Sequence, residues 1–162
     1  MSNSSLFYRN TLQHKLYLMP NEMCRDIDAV LLRKLREEVG NKCIKEGFVR
    51  RDSIEIVKRS IGLVDAIHFN GRIGYNILFS AELCNPVEGM KLEGAVEDIN
   101  KMGAIVRIEP LSIVLPKQHH PDLEVFRNLA VGDKVQMTVV GSIFELYDTE
   151  INTVAIITNV LK

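Results

Sequence analysis

The sequence has no tryptophan and only three cysteines, and aromatic residues fill 6% of its 162 positions. Cys24, Cys43 and Cys84 are odd in number and show no C-x-x-C spacing, which excludes a disulfide framework and a zinc ribbon. Reduced, partly buried thiols are expected instead. A membrane helix needs roughly 20 consecutive apolar residues, and the apolar runs here are as short as residues 154–157. The polar opening MSNSS lacks the apolar core of a secretory leader, so a soluble, intracellular protein with no membrane association is expected. Neither sign of charge dominates: 20 Lys and Arg stand against 21 Asp and Glu, a net of −1, unlike a strongly basic nucleic-acid binder.

Catalytic motifs are also missing. There is no phosphate-cradling G-x-x-x-x-G-K-[ST], no H-E-x-x-H and no G-x-S-x-G, and Gly71-Arg72-Ile73-Gly74 has no helix after it to offer an N-terminus. His119 and His120 are adjacent, so on an extended chain they point to opposite sides, and no third ligand stands near. Asp65 and His68, read within a strand, fall on opposite faces and form no acid–base pair. No metal, cofactor or enzymatic activity is expected.

What is present is the makeup of a folded chain, with 46% hydrophobic and 25% charged residues. Residues 6–18 alternate loosely and read as a strand ended by Pro20 and Asn21. Met23, Ile27, Val30, Leu31, Leu35 and Val39 then recur at spacings of three and four, which predicts an amphipathic helix over 23–39, with Gly40 as a left-handed C-terminal cap. Short strands are predicted at 43–50, 53–58, 61–69 and 73–83, the last two joined by an Asn70-Gly71 hairpin turn.

Asn85-Pro86-Val87-Glu88-Gly89 breaks the pattern, and the charge changes there from 13 Lys and Arg against 10 acids to 7 against 11. Two domains are therefore expected, 1–84 and 85–162. The second offers strand candidates at 90–100, 103–108, 112–115, 134–144 and 153–161, with Gly94 free to bend inside the first and a turn at Lys101-Met102-Gly103. A longer connection, 116–132, carries Leu123, Phe126 and Leu129 at the spacing of a short helical turn. Five strands with an insert after the third are the layout of an OB-fold, a closed Greek-key barrel. The expected class is α+β and β-rich.

OB barrels hold single strands by base stacking and by Lys or Arg along the phosphates. The candidates for RNA contact are Lys101, Arg107, Lys117, His119 and His120, with Phe126, Phe144 and Tyr147 as the aromatics available for stacking or core. The acidic surroundings predict weak, salt-sensitive contact with a strand delivered by something else. Arg50-Arg51, Lys58-Arg59 and Arg72 lie near predicted turns of the first domain, where they could meet an acidic partner or a phosphate backbone, or protect a solvated sheet edge.

In order along the chain, several segments resemble one family. Phe7-Tyr8, Leu16-Tyr17-Leu18-Met19-Pro20 and the amphipathic helix come first; Asn85 to Gly89, Gly94-Ala95-Val96, Asn100-Lys101-Met102-Gly103, Glu109-Pro110-Leu111 and Val139-Val140-Gly141 follow. The family is the stalk subunit of multi-subunit DNA-directed RNA polymerases, the seventh subunit of the eukaryotic enzyme and E-prime of archaea. The resemblance implies an N-terminal truncated RNP-like tip domain followed by an OB-fold domain, and a non-catalytic role. It implies docking on the large polymerase subunits, pairing with a second, fourth-subunit-like stalk protein, and contact with nascent single-stranded RNA. The core-docking positions would be Lys58, Arg59, Ser60, Ile61 and Gly62. Residues 57–70 depart from the usual Gly/Pro-rich docking loop, keeping Gly62 and Gly71, and the chain is compact in the manner of versions carried by large DNA viruses. A cytoplasmic viral factory or virion would then replace the nucleus of a cellular enzyme. The alternative is a free-standing OB-type single-stranded RNA-binding protein.

Overall fold

A computed structural model of the protein describes residues 6–161; the MSNSS opening and Lys162 lie outside the described residues. The elements of the first half are β1 (Phe7–Leu18), α1 (Ile27–Val39), β2 (Lys42–Ile44), β3 (Gly47–Val49), β4 (Glu55–Arg59), β5 (Leu63–Val64) and β6 (Ile73–Cys84). The second half holds β7 (Lys91–Ile99), β8 (Gly103–Ile108), β9 (Leu111–Pro116), α2 (Glu124–Arg127), β10 (Lys134–Ile143) and β11 (Ile151–Leu161). The chain divides into two units, one of residues 8–41 and 49–83, the other of residues 6–7, Lys42–Phe48 and 84–161.

In the first unit, α1 buries Leu31, Leu35 and Val39, a stripe at four-residue spacing, while β6 buries the alternate side chains Tyr75, Ile77, Phe79, Ala81 and Leu83. Leu16 and Leu18 of β1 complete that core. The helix begins at Ile27, four residues later than its apolar period suggests. Pro20–Glu22 forms a separate helical turn, and the Asp26 carboxylate caps α1 by accepting the Ala29 N–H at 3.2 Å. Gly40 is not the left-handed cap: its φ is −68°, and Asn41 takes the positive value of 53°. Gly40 is needed for room instead, since a Cβ there would stand 2.3 Å from the Arg36 carbonyl oxygen.

β4 and β5 both pair antiparallel with β6. A register shift between Ile56 and Lys58 leaves Val57 out of the ladder and exposed. The strand expected over 61–69 shrinks to Leu63 and Val64, paired with Gly74 and Ile73, and Asn70-Gly71 lies inside a longer loop rather than at a two-residue turn. Likewise the strand expected over 43–50 is the hairpin β2–β3, bent at Lys45-Glu46.

The second unit contains a closed barrel in the order β10-β11-β9-β8-β7. β11 runs parallel to β9 and the other neighbours are antiparallel, the arrangement of an OB-fold. Its core draws on every strand, including Leu92, Val96, Val106, Ile113, Leu115, Val135, Met137, Val139 and Ile151, and takes in Phe48, Cys43, Cys84 and Phe126. Gly94 makes room for β8, because a Cβ there would meet the Val106 side chain at 2.7 Å. Gly103 is tighter still, with the Leu115 carbonyl oxygen 2.1 Å from a built Cβ. The whole class is β-rich α+β, as the sequence pattern predicts.

Candidate nucleic-acid and docking surfaces

OB barrels bind oligonucleotides on the face of their second and third strands and with the loops joining strands one to two and four to five. Here these are β8 and β9, the turn at Asn100–Gly103, and the segment between β10 and β11. Asn100 builds the turn: its side-chain oxygen accepts the N–H groups of Met102 and Gly103 at 2.9 and 3.0 Å. The Lys117 N–H donates to the Met102 carbonyl at 3.0 Å, which brings the helical turn Lys117–His119 beside it. Lys101, Lys117 and His119 thus share one end of the barrel. In the same turn Met102 is 79% exposed. Lys117 stands 6.0 Å over the Phe126 ring, which is itself buried.

Two of the sequence candidates are placed differently. Arg107 is opposite Ser112 near the far end of β8, about 13 Å along the strand from Gly103 at the usual rise. It faces Glu97 at 3.6 Å, with both side chains half exposed. His120 is 8% exposed and both of its ring nitrogens are engaged, Nδ1 with the Pro116 carbonyl at 2.7 Å and Nε2 with the Ile157 N–H at 2.8 Å. With Nε2 accepting, Nδ1 carries the proton and donates. The ring also meets Phe126 edge-on, with centroids 4.7 Å apart. His120 locks the connection after β9 onto β11 and offers no nitrogen to a ligand.

The segment between β10 and β11 is occupied as well. The Cys43 N–H donates to the Asp148 carbonyl and the Tyr147 N–H to the Cys43 carbonyl, both at 2.7 Å, so β2 is pinned to it. Tyr147 accepts a φ of 68° to do this and keeps an exposed ring. Glu145, Asp148 and Glu150 make this side acidic, opposite in sign to the Lys101–Lys117 end. Burial, and then the nearby Asp148 charge, push the Cys43 thiol up to about 11. The sequence carries no signal for this clasp.

In the first unit the residues read as docking positions lie on the edge strand β4 and just beyond it. Lys58 and Ile61 are exposed, Ile61 by 77%. Ser60 is held by Asn76: its N–H donates to the Asn76 carbonyl, and its hydroxyl accepts the Asn76 N–H at 3.0 Å. Arg59 donates through Nε to Asp28 and stands over the Tyr75 ring. Gly62 rests on Tyr75, whose ring would be 2.8 Å from a Cβ at that position. An open groove of about 810 Å³ runs beside this edge, lined by Asp28, Leu32, Arg36, Val57, Lys58 and Ile61 among others. The basic pairs are largely neutralised, Arg50 by Glu82 at 2.6 Å, Arg59 by Asp28 and Arg72 by Asp65.

Beyond Gly62 the chain exposes Leu63, Val64, Ile67 and Phe69 in succession. Asp65 and His68 are in contact after all, with His68 Nδ1 2.8 Å from the carboxylate, because the chain turns here instead of running as a strand. The Ile67 N–H, then Arg72 and His68, hold the Asp65 carboxyl far below the usual range against the opposing effect of burial.

Among the described residues no three His, Cys, Asp or Glu side chains gather as a metal site, and no helix is long and apolar enough to cross a membrane. No protein-family model matches the chain. A protein of Acanthamoeba polyphaga mimivirus that carries the provisional name of a DNA-directed RNA polymerase subunit is similar to it, 24% identical over 168 aligned residues. The similarity spans 96% of this chain and 83% of the viral protein.

Proposed function

We propose that the protein is a non-catalytic subunit of a DNA-directed RNA polymerase, of the stalk type, which docks on the large subunits through its first unit and offers its barrel to nascent RNA. The observation that carries this reading is the end-to-end similarity to the mimivirus polymerase subunit, at 96% of this chain. A barrel shared for generic reasons would align over the second unit alone. The similarity instead runs through the first unit, where the apolar segment 61–69 stands in solvent.

The barrel chemistry suits a subordinate RNA contact. Lys101 and Lys117 supply point charges for phosphates, Met102 an apolar surface, and His119 an exposed ring, while the acidic clasp at the β10–β11 segment repels a backbone that strays towards it. Two or three cations give little autonomous affinity. A strand leaving a polymerase is present at high effective concentration, so a weak surface is sufficient there. A fourth-subunit-like stalk protein is the further partner of this reading. A viral enzyme, at work in a cytoplasmic factory or a virion, belongs to this proposal; a cellular enzyme would place the chain in the nucleus.

Ultraviolet crosslinking of nascent RNA in transcribing polymerase tests the RNA contact. Label on this chain that falls severalfold with Lys101→Glu and Lys117→Glu together is the expected result. Complexes that contain the chain and never label it refute RNA contact, and a well-behaved free chain with strong RNA affinity and no polymerase attached favours the free-standing OB-type binder.

A further inference from the structure

The outer face of the barrel carries a row of β-branched side chains. Ile105 of β8 stands opposite Val114 of β9, Val114 beside Val154 of β11, and Val154 opposite Gly141 of β10, so the row crosses four neighbouring strands. It faces outward, because the sequence neighbours of its members, Ala104 and Val106, Ile113 and Leu115, Thr153 and Ala155, are buried in the barrel. Val114 and Val154 are 40% and 36% exposed, Val140 in the bulge beside Gly141 is 38% exposed, and Ile105 is half-buried. A Cβ at Gly141 would meet nothing within 4 Å, so this side of β10 is flat and open. Ile143, opposite Asn152 and well exposed, extends the apolar surface.

This face suits a protein better than a nucleic acid. β8 and β9 hold no aromatic residue for a base to stack on, and their one cation, Arg107, is paired with Glu97. Branched side chains with few rotamers lose little freedom when covered, and two sheet faces of this kind pack together about 10 Å apart.

The two ends of the face are opposite in sign. Lys101, Lys117 and His119 stand where β8 begins and β9 ends, and the acid nearest them in register is Asp98 on β7, opposite Ile105. Glu109 stands where β8 gives way to β9, and the Ile151 N–H donates to the Pro110 carbonyl at 3.0 Å, which brings the segment with Glu145 and Glu150 to that same far end. All three glutamates are exposed. A surface with an apolar middle, a basic end and an acidic end is complementary to itself. Turned about a two-fold axis through the middle, the basic end of each copy lies against the acidic end of the other. We propose that the free chain pairs in this way with a second copy of itself, through the outer face of β8, β9, β11 and β10. Four strands make the face about 19 Å wide and β9 gives it a length of about 20 Å. That footprint, about 400 Å² on each copy, is half of a standard interface, so the pair is weak and reversible. It covers the basic barrel end while it lasts, and it stands apart from the polymerase reading.

Sedimentation equilibrium of the full chain, from low micromolar to near millimolar concentration, should show a monomer–dimer equilibrium that weakens severalfold as salt is raised. Val114→Asp should weaken it on the order of tenfold or more, because a carboxylate in the middle of the face meets its own copy across the axis. Its melting temperature should stay near that of the wild type, since the side chain stands outside the core. Two charge-reversed chains test the orientation without touching the face: Lys101→Glu with Lys117→Glu, and Glu145→Lys with Glu150→Lys. Each alone should lose self-association, and an equimolar mixture should regain it, because the reversed ends match again; they decide the matter by themselves if Val114→Asp fails to fold. A wild-type chain that stays monomeric overturns the pairing and leaves the face to another protein. Association untouched by a folded Val114→Asp overturns this face as the contact, and species that grow beyond two overturn the two-fold. Charge-reversed chains that each pair as the wild type does overturn the matching of the ends. None of these results bears on polymerase recovery, which a pull-down measures separately.

Discussion

Replacing His120 tests whether the connection after β9 is held by one buried ring. Its two hydrogen bonds, at 2.7 and 2.8 Å, contribute about 1 kcal/mol each, and removing the ring leaves the Ile157 N–H without an acceptor at a further cost of about 1 kcal/mol or more. The edge-on contact with Phe126 adds about 1 kcal/mol. His120→Ala therefore costs about 3–5 kcal/mol, and His120→Phe, which keeps a packed ring but no polar atom, about 2–3 kcal/mol. At roughly 2–4 °C per kcal/mol for a chain of this size, the melting temperature should fall by about 6–20 °C for Ala and about 4–12 °C for Phe. Scanning calorimetry with matched buffers reads both. A fall of under 2 °C for His120→Ala would refute the lock. A His120→Phe variant as stable as the wild type would mean that packing alone holds the connection.

Three further outcomes follow from the geometry. In the native chain, an alkylating reagent at pH 8 should modify the exposed Cys24 first and leave Cys43 intact, its thiol being pushed up to about 11, and mass spectrometry after minutes and hours would show the opposite order if the Cys43 site opened freely. Gly103→Ala should destabilise the barrel by about 2 kcal/mol or more, because its Cβ collides with the Leu115 carbonyl, while Gly141→Ala, with nothing within 4 Å, should be near neutral; equal urea midpoints would contradict the close approach of β8 and β9. The folded Asp65 carboxyl lies below its unfolded value of about 4, so its bracing is complete above pH ~4 and is lost as the pH falls towards the folded value. Amide exchange at Ile67, whose N–H the carboxylate accepts, should be slow at pH 6 and disproportionately fast at pH 3 after correction for intrinsic rates, and an unchanged protection ratio would contradict the brace.

Much of the fold was legible because burial imposes a period. Leu31, Leu35 and Val39 fall on one helical stripe, and the alternate residues Tyr75 to Leu83 on one sheet face, so the pattern of apolar residues names the element directly. The five barrel strands are legible for the same reason. The segment 61–69 misleads by the same logic: Ile61, Leu63, Ile67 and Phe69 have the odd-numbered spacing and apolar character of a strand face, yet they are exposed. Apolar residues that end in a core and apolar residues that end in solvent look alike in one dimension. Gly40 shows the limit at single positions, since a glycine required by a nearby carbonyl reads the same as one required by a positive φ.

The candidate site was legible only in part. Lys101, Lys117 and His119 sit near turns in the sequence and meet at one barrel end because the Lys117 N–H finds the Met102 carbonyl. Arg107 could not be sorted from them without the register of β8 on β9, nor could His120 be recognised as a lock without the β11 backbone that reaches its ring. The clasp of Cys43 on Tyr147 and Asp148 joins residues a hundred positions apart through backbone groups, which leave no mark on side-chain identity.

The most direct measurement of the central claim is affinity purification of the tagged full chain from the cells that carry its gene, with the co-purifying proteins identified and their stoichiometry measured by mass spectrometry. Recovery of the large subunits of a DNA-directed RNA polymerase in equimolar amounts with the chain is the predicted result. Recovery of RNA, or of the chain alone, with no polymerase subunit present would contradict it.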